Sequence, residues 1–324
     1  MSPAPPRPPD TPAAPPPRAR LIAFLALVTG AALVGASPLF VRASEIGPAA
    51  TAFHRAFLAL PLLFLVLALN RARGRRPGVP RLDIKAARGM ALAGMFFAGD
   101  LAFWHLAILG TTVANATLFA TLAPIWVTLF LVLVVRVRLA ARYLLGVGLA
   151  VAGGGLLVAD SLTVRPENLV GDAHGLITGM FLGAYMLSVG RLRGRGFSTL
   201  AIMSLGTLST ALFLLPPALL LEDQLFPRSV EGWAILVGLA WSAQALGQGL
   251  VAFSLAYLPI GFSATTMILE AVFAALLAWV LLGEALGPWQ AAGALAVLAG
   301  LLLARRGEGA APRPDRVRRP GSGP

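Results

Sequence analysis

The feature that most constrains this chain is a succession of apolar runs. Each is about as long as a bilayer is thick once wound into a helix, roughly 20 residues at 1.5 Å each. The runs are Leu21–Phe40, Pro48–Leu69, Gly89–Leu109, Thr112–Val135, Tyr143–Ala159, His174–Val189, Thr199–Leu221, Trp233–Leu258, Gly261–Leu282 and Pro288–Leu303, ten in all. Turn chemistry separates several of them, at Gly110-Thr111, at Leu258-Pro259 and between Gly283 and Pro288. Charged residues make up only 12% of the chain, against about a quarter in a soluble domain. A water-soluble globule of this length has no interior large enough to hide so much apolar surface. The expectation is an all-α membrane protein with ten transmembrane helices. There is no cysteine, which excludes disulfides and thiolate metal sites, and no cofactor or metal is expected.

The two ends differ from the middle. Residues 1–20 hold nine prolines and no hydrophobic periodicity, so they are expected to be a disordered cytoplasmic tail. Residues 305–324 are rich in Pro, Gly and Arg and are read the same way. The first run follows Arg18 and Arg20, as a signal peptide would. It is longer than the usual h-region of about 7–15 residues and is followed by many more spans, so a retained first helix is expected.

Orientation follows from the basic residues. With the N-terminus in the cytoplasm, 22 of the 26 lysines and arginines fall on the cytoplasmic side and three (Arg42, Arg165, Arg228) on the other. Arg55 lies within a span. The outer loops carry Glu45, Asp160, Glu167, Asp172, Glu222, Asp223, Glu231 and Glu284 instead. This is the positive-inside pattern, and it absorbs the net charge of +12 without any appeal to nucleic acid. The chain is expected to be a multi-pass protein of the cytoplasmic (inner) membrane, in contact with its lipid, with both termini cytoplasmic.

The sequence also repeats. Leu27-Val28-Thr29-Gly30 is echoed by Leu176-Ile177-Thr178-Gly179, and Leu139, Gly146 and Gly153 return 147 residues later as Leu286, Gly293 and Gly300. The first five-helix repeat is placed at 21–159, an outer linker at 160–173 and the second repeat at 174–304. Because five is odd, the second repeat enters the membrane from the opposite side. Two inverted five-helix repeats around a central cavity are therefore expected. Gly146, Gly148, Gly153, Gly154 and Gly155, with Gly293 and Gly300, would let the last helices of the two repeats approach closely, and a homodimer seam is a second use for such a stripe.

Polar residues inside the runs mark the candidate site. A charge at the bilayer centre costs about 2.5–3.5 kcal/mol on insertion scales, so such residues face a bundle interior or a wet cavity. Asp100 and Glu270 lie halfway along the third and ninth runs, and Arg55, His54 and His105 are also intramembrane. Trp104 follows Asp100 at i+4 and shares its face. Trp241, Gln244 and Gln248 form a polar-aromatic stripe at i, i+3 and i+7, while Thr121 and Trp126 are further wall candidates. Read functionally, the carboxylates bind or exchange a cation or proton, the aromatics stack a substrate and the amides orient it. Read structurally, the same groups are interhelical hydrogen bonds worth about 0.6 kcal/mol each. Pro61 and Pro124 are expected to kink the second and fourth helices.

These residues resemble the drug/metabolite transporter superfamily, specifically its EamA type of ten helices in two inverted repeats. Ile46 to Arg55 looks like the start of the family's second helix, arginine included. Ile268 to Trp279, with Leu282-Gly283-Glu284, resembles its ninth, and Gly293 to Gly300 its glycine-spaced last helix. The resemblance covers about residues 21–304. Two departures stand out: Ala271 occupies the usual proline position of the ninth helix, and Arg136-Val137-Arg138 stands where the Gly-Glu of the second half occurs.

The resulting expectation is a secondary transporter of a small organic metabolite or amino-acid-like solute, working by alternating access. There is no nucleotide-binding P-loop, so the driver is expected to be the proton or another coupling ion acting at Asp100 or Glu270. Outward transport is implied by the resemblance alone. An intramembrane enzyme, a channel and a non-transporting scaffold stay open as alternatives. The first is disfavoured by three histidines without an HExxH motif and by the roughly 140° that separates Asp100 from His105 around a helix.

Overall fold

The computed structural model describes residues 16–72, 82–111, 116, 119–157, 166–282 and 287–308. These are helix and turn, with no strand among the described residues. Most of the two expected tails, residues 160–165 of the expected linker at 160–173 and the Gly283-Glu284 pair lie outside them, as does most of the first third of the fourth run. The rest of the expected linker is instead a tight turn at Pro166–Asn168 and the start of a long helix from Leu169.

The helices, in chain order, are α1 (Pro17–Gly35), α2 (Ser37–Ala43), α3 (Pro48–Phe57), α4 (Leu60–Ala72), α5 (Ile84–Gly110), α6 (Ala123–Leu133) and α7 (Ala141–Leu157). The second half follows with α8 (Leu169–Gly194), α9 (Thr199–Leu221), α10 (Val230–Leu239), a π segment (Ala240–Gly247), α11 (Gln248–Ser254), α12 (Ile260–Met267), α13 (Leu269–Leu282) and α14 (Pro288–Glu308). Among the described residues, seven continuous or near-continuous stretches are long and apolar enough to cross a membrane, and α6 and α7 are shorter apolar helices. Helix α5 adds 27 residues. Helices α1 and α14 run a few residues past their apolar runs, α1 beginning at Pro17 and α14 carrying Arg305 and Arg306 in its last turn. A basic residue there complements the negative C-terminal pole.

Breaks in the spans have local causes. Proline lacks an N–H and its ring clashes with the carbonyl four residues back, so α1 stops at Ala36 before Ser37-Pro38, and α3 stops at Leu58-Ala59 before Pro61. The fourth span turns at Thr121-Leu122 and restarts as α6 with Pro124 in its first turn. The ninth span breaks too, at Ile268, although Ala271 takes the place of a proline. Ile268 N–H bonds to the Thr265 carbonyl and Ala271 N–H to that of Ile268. These tight i→i−3 bonds close the first helix and open the second. Thr121 and Ile268 are separated by the same 147-residue step as Gly146 and Gly293.

Helix α7 packs along α14, and glycine allows it. A Cβ on Gly146 would lie 2.3 Å from Ala304 N, and one on Gly153 2.6 Å from Val297 N. Gly94 of α5 meets the Gly206 carbonyl of α9 in the same way. Gly146, Gly153, Gly293 and Gly300 of the stripe are thus used within the chain, whereas nothing lies within 4 Å of a Cβ at Gly148. Between the halves, α1 packs on the π segment, α11 and α13, and α8 packs on α5 and α6. Helices α3 and α4 pack on α9, and α6 on α12. The packing of α1 on the π segment, α11 and α13 is mirrored by that of α8 on α5 and α6.

Candidate functional site

At mid-height the two halves enclose a cavity of about 120 Å³, room for several waters or part of a small solute. Three ionisable side chains line it: Arg55 from α3, Asp100 from α5 and Glu270 from α13. Trp104, Thr121 and Gln248, together with Phe97, Ser37 and Pro124, make up much of the rest of the wall. Arg55 is 7% exposed and Asp100 8%, while Glu270 is half-buried in the first turn of α13. A carboxylate there faces the positive pole of its own helix. Arg55, Asp100 and Glu270 are close enough to feel one another's charge, and the Arg55 guanidinium sits 5.7 Å above the centre of the Phe97 ring.

Arg55 is held by a chain of hydrogen bonds across the halves. Its Nε donates to Gln244 Oε1 at 3.3 Å, and Gln244 Nε2 donates to Thr207 Oγ1 of α9, also at 3.3 Å. Gln244 therefore orients the guanidinium from outside the cavity wall. The i, i+3, i+7 stripe is split by the π segment. In an i→i+5 turn each residue rotates less than in an α-helix, and Trp241 swings outward. It is 49% exposed, with its indole N–H on the Leu58 carbonyl at 3.2 Å, whereas Gln244 and Gln248 are buried.

The remaining candidates are elsewhere. His54 is fully buried and donates from Nδ1 to the Ala50 carbonyl at 2.9 Å. Its ring is boxed by Phe53, Phe226 and Trp233. Trp126 packs against Gly179 and Gly183 of α8 and does not line the cavity. The His105 side chain lies outside the described residues. Sequence reasoning missed Phe97 and Ser37. Phe97 was readable from its i−3 spacing to Asp100. Ser37, whose buried hydroxyl has no partner among the described residues, reaches the wall only because α1 breaks beside it. No group of three or more His, Cys, Asp or Glu side chains able to hold a metal ion occurs among the described residues.

Hydrogen bonds to three carboxylates also join the halves outside the cavity. Glu45 accepts from the backbone N–H groups of Arg228 and Ser229 at 2.9 and 3.1 Å, and from the Ser229 hydroxyl. Glu222 accepts from Ala49 N–H at 2.7 Å, and Asp172 from the Thr111 hydroxyl at 2.7 Å. The Ser229 hydroxyl, followed by the backbone donors and the Arg228 charge, holds the Glu45 carboxyl below the usual glutamate range.

The profile of the EamA-like transporter family matches this chain twice, over residues 21–159 and 169–306. Twenty-nine solved chains are similar. One of them, described only as the crystal structure of a protein, shares 20% identity at a TM-score of 0.73, with 89% of this chain and 96% of that one covered. No curated protein matches.

Proposed function

Since the chain belongs to the EamA-like transporter family, and is thereby a multi-pass membrane protein, we propose that it is a secondary active exporter of a small organic, amino-acid-like solute. It spans the cytoplasmic membrane ten times as two inverted repeats, with both termini in the cytoplasm. The proton is the coupling ion, and the cavity is exposed to the two sides in turn.

The observation that carries this reading is that one cavity takes two carboxylates and a guanidinium from helices of both halves. Rocking one half against the other changes the surroundings of those three charges together, as alternating access requires. The mirrored packing of α1 and α8 supports the repeat, and the 22-to-3 distribution of basic residues supports the orientation. Asp100 and Glu270 suit an ammonium or a proton, and Arg55 a carboxylate. Trp104 and Phe97 offer aromatic faces to the carbon skeleton.

The test uses purified protein in liposomes loaded with a pool of amino acids and metabolites under an imposed pH gradient. Wild type is compared with Asp100→Asn and Glu270→Gln. The reading expects a solute to move, and its gradient dependence to vanish in at least one variant. If both variants keep full coupling, the carboxylates are structural. If nothing in a broad pool moves, the transporter reading falls.

A further inference from the structure

A second cavity, of about 730 Å³, opens where the start of α1, the turn before α12 and the end of α14 converge. Its wall combines two features. Arg20 and Arg305 bring two cations, and Phe24, Phe262 and Tyr257 bring aromatic surface. The arrangement is ordered: the Arg305 guanidinium lies 5.4 Å above the centre of the Phe24 ring, and Phe24 stacks on Phe262 at 6.0 Å.

Two helix N-termini add to the positive field. Helix α1 is preceded by Pro16 and α12 by Pro259, neither has a side-chain cap, and neither has an acidic residue in its first turn. Their free N–H groups and dipoles favour an anion. Leu21, a wall residue, continues into the exposed apolar face of Ile22 and Leu25, all more than half exposed. A positive pocket that runs into a lipid-facing apolar strip matches an amphiphile with an anionic head.

The chain's own ends do not fit. Residues 1–15 carry one Arg and one Asp, and residues 309–324 four Arg and one Asp. Neither carries a net negative charge.

We infer that this pocket binds the phosphodiester headgroup of an anionic phospholipid, with Arg20 and Arg305 on the phosphate and the acyl chains along Leu21 and Leu25. The site is separate from the central cavity. A lipid held here bridges the first helix of the chain to the last, across the boundary between the halves.

The test is native mass spectrometry of the full-length protein released from detergent, titrated with phosphatidylglycerol, with phosphatidylcholine, or with inorganic phosphate. The expected result is preferential retention of phosphatidylglycerol, weakened about tenfold by Arg20→Gln with Arg305→Gln and unchanged by Arg191→Gln, an exposed cation of the same basic side. Phe24→Leu, which removes the ring beneath Arg305 and keeps both charges, should weaken it severalfold. Far-ultraviolet circular dichroism checks that each variant keeps its helix content. Equal retention of the two lipids, or full retention in the double variant, overturns the inference. Displacement of phosphatidylglycerol by millimolar inorganic phosphate also overturns it, in favour of a soluble anion.

Discussion

Three glycines of α7 make a controlled experiment, because they share a helix and differ in what faces them. An alanine Cβ at Gly153 would lie 2.6 Å from Val297 N, 2.7 Å from the Gly293 carbonyl oxygen and 2.9 Å from Ala296 Cβ. Carbon is comfortable at about 3.5–4.0 Å, so α7 and α14 must separate by about 1 Å along their contact. The atoms in the way are mostly backbone, which no rotamer change can move. Overpacking of that kind costs about 1–3 kcal/mol, offset by up to about 1 kcal/mol from the better helix propensity of alanine. At Gly148 nothing lies within 4 Å, and only the propensity gain remains. Gly153→Ala and Gly146→Ala should therefore lower the thermal unfolding midpoint in detergent, by a net amount of up to about 2 kcal/mol, and Gly148→Ala should hold or raise it. Tryptophan fluorescence during a temperature ramp reads all three. If Gly148→Ala and Gly153→Ala shift the midpoint alike, the seam is not set by glycine and the close-approach argument fails.

Other outcomes follow from single residues. Arg136 has φ 59°, a left-handed conformation that costs a residue with a side chain about 1 kcal/mol, so Arg136→Gly should raise thermal stability by about that amount, and no gain would show the turn to be unstrained. Gln244→Leu removes the acceptor of a buried guanidinium and should destabilise by about 1.5–3 kcal/mol, whereas Thr207→Val, at the neutral end of the chain, should cost about 0.5–1.5 kcal/mol; equal losses in chemical denaturation would contradict that order. The Glu45 carboxyl ionises more readily folded than unfolded, so its clip stabilises fully above the ordinary glutamate range and is lost as the pH falls through the lowered value. Glu45→Gln should therefore lower the stability plateau above that range and with it remove part of the acid-side fall, leaving the slope of the alkaline limb unchanged, and an unaltered acid limb would show that the clip does not contribute.

The membrane class, the helical content and the family resemblance were legible because they rest on run length, charge poverty and ordered motifs, which no tertiary contact can overrule. Asp100, Glu270 and Arg55 stood out because an ionisable group in an apolar run is conspicuous wherever it points. The structure adds that the three share one cavity. Trp241 was misjudged for a definite reason: spacing arithmetic assumes a uniform α-helix, and the π segment that breaks the assumption has no marker such as proline. The gap at Ile268 is similar, since Ala271 gave no warning of it. Ser37 was invisible because its position depends on where the chain turns after α1. Its residue type says nothing of that. Gln244 stood out as a polar residue in an apolar run, but its partners Arg55 and Thr207 lie 189 and 37 residues away, a separation that no local pattern encodes.

The two apolar runs that stop and restart, at Thr121-Leu122 and at Ile268, affect how such a chain can diversify. An unbroken helix occupies its own amide groups, whereas a terminus leaves some of them to the surroundings. Every residue but proline supplies the same amide, so a break of this kind tolerates the exchange of neighbouring side chains. On the proposed function, the choice of solute then falls to the side chains that line the cavity, Asp100, Trp104 and Glu270 among them. A scaffold divided in this manner can be retuned from one cargo to another by a few substitutions, without rebuilding the helices that carry them.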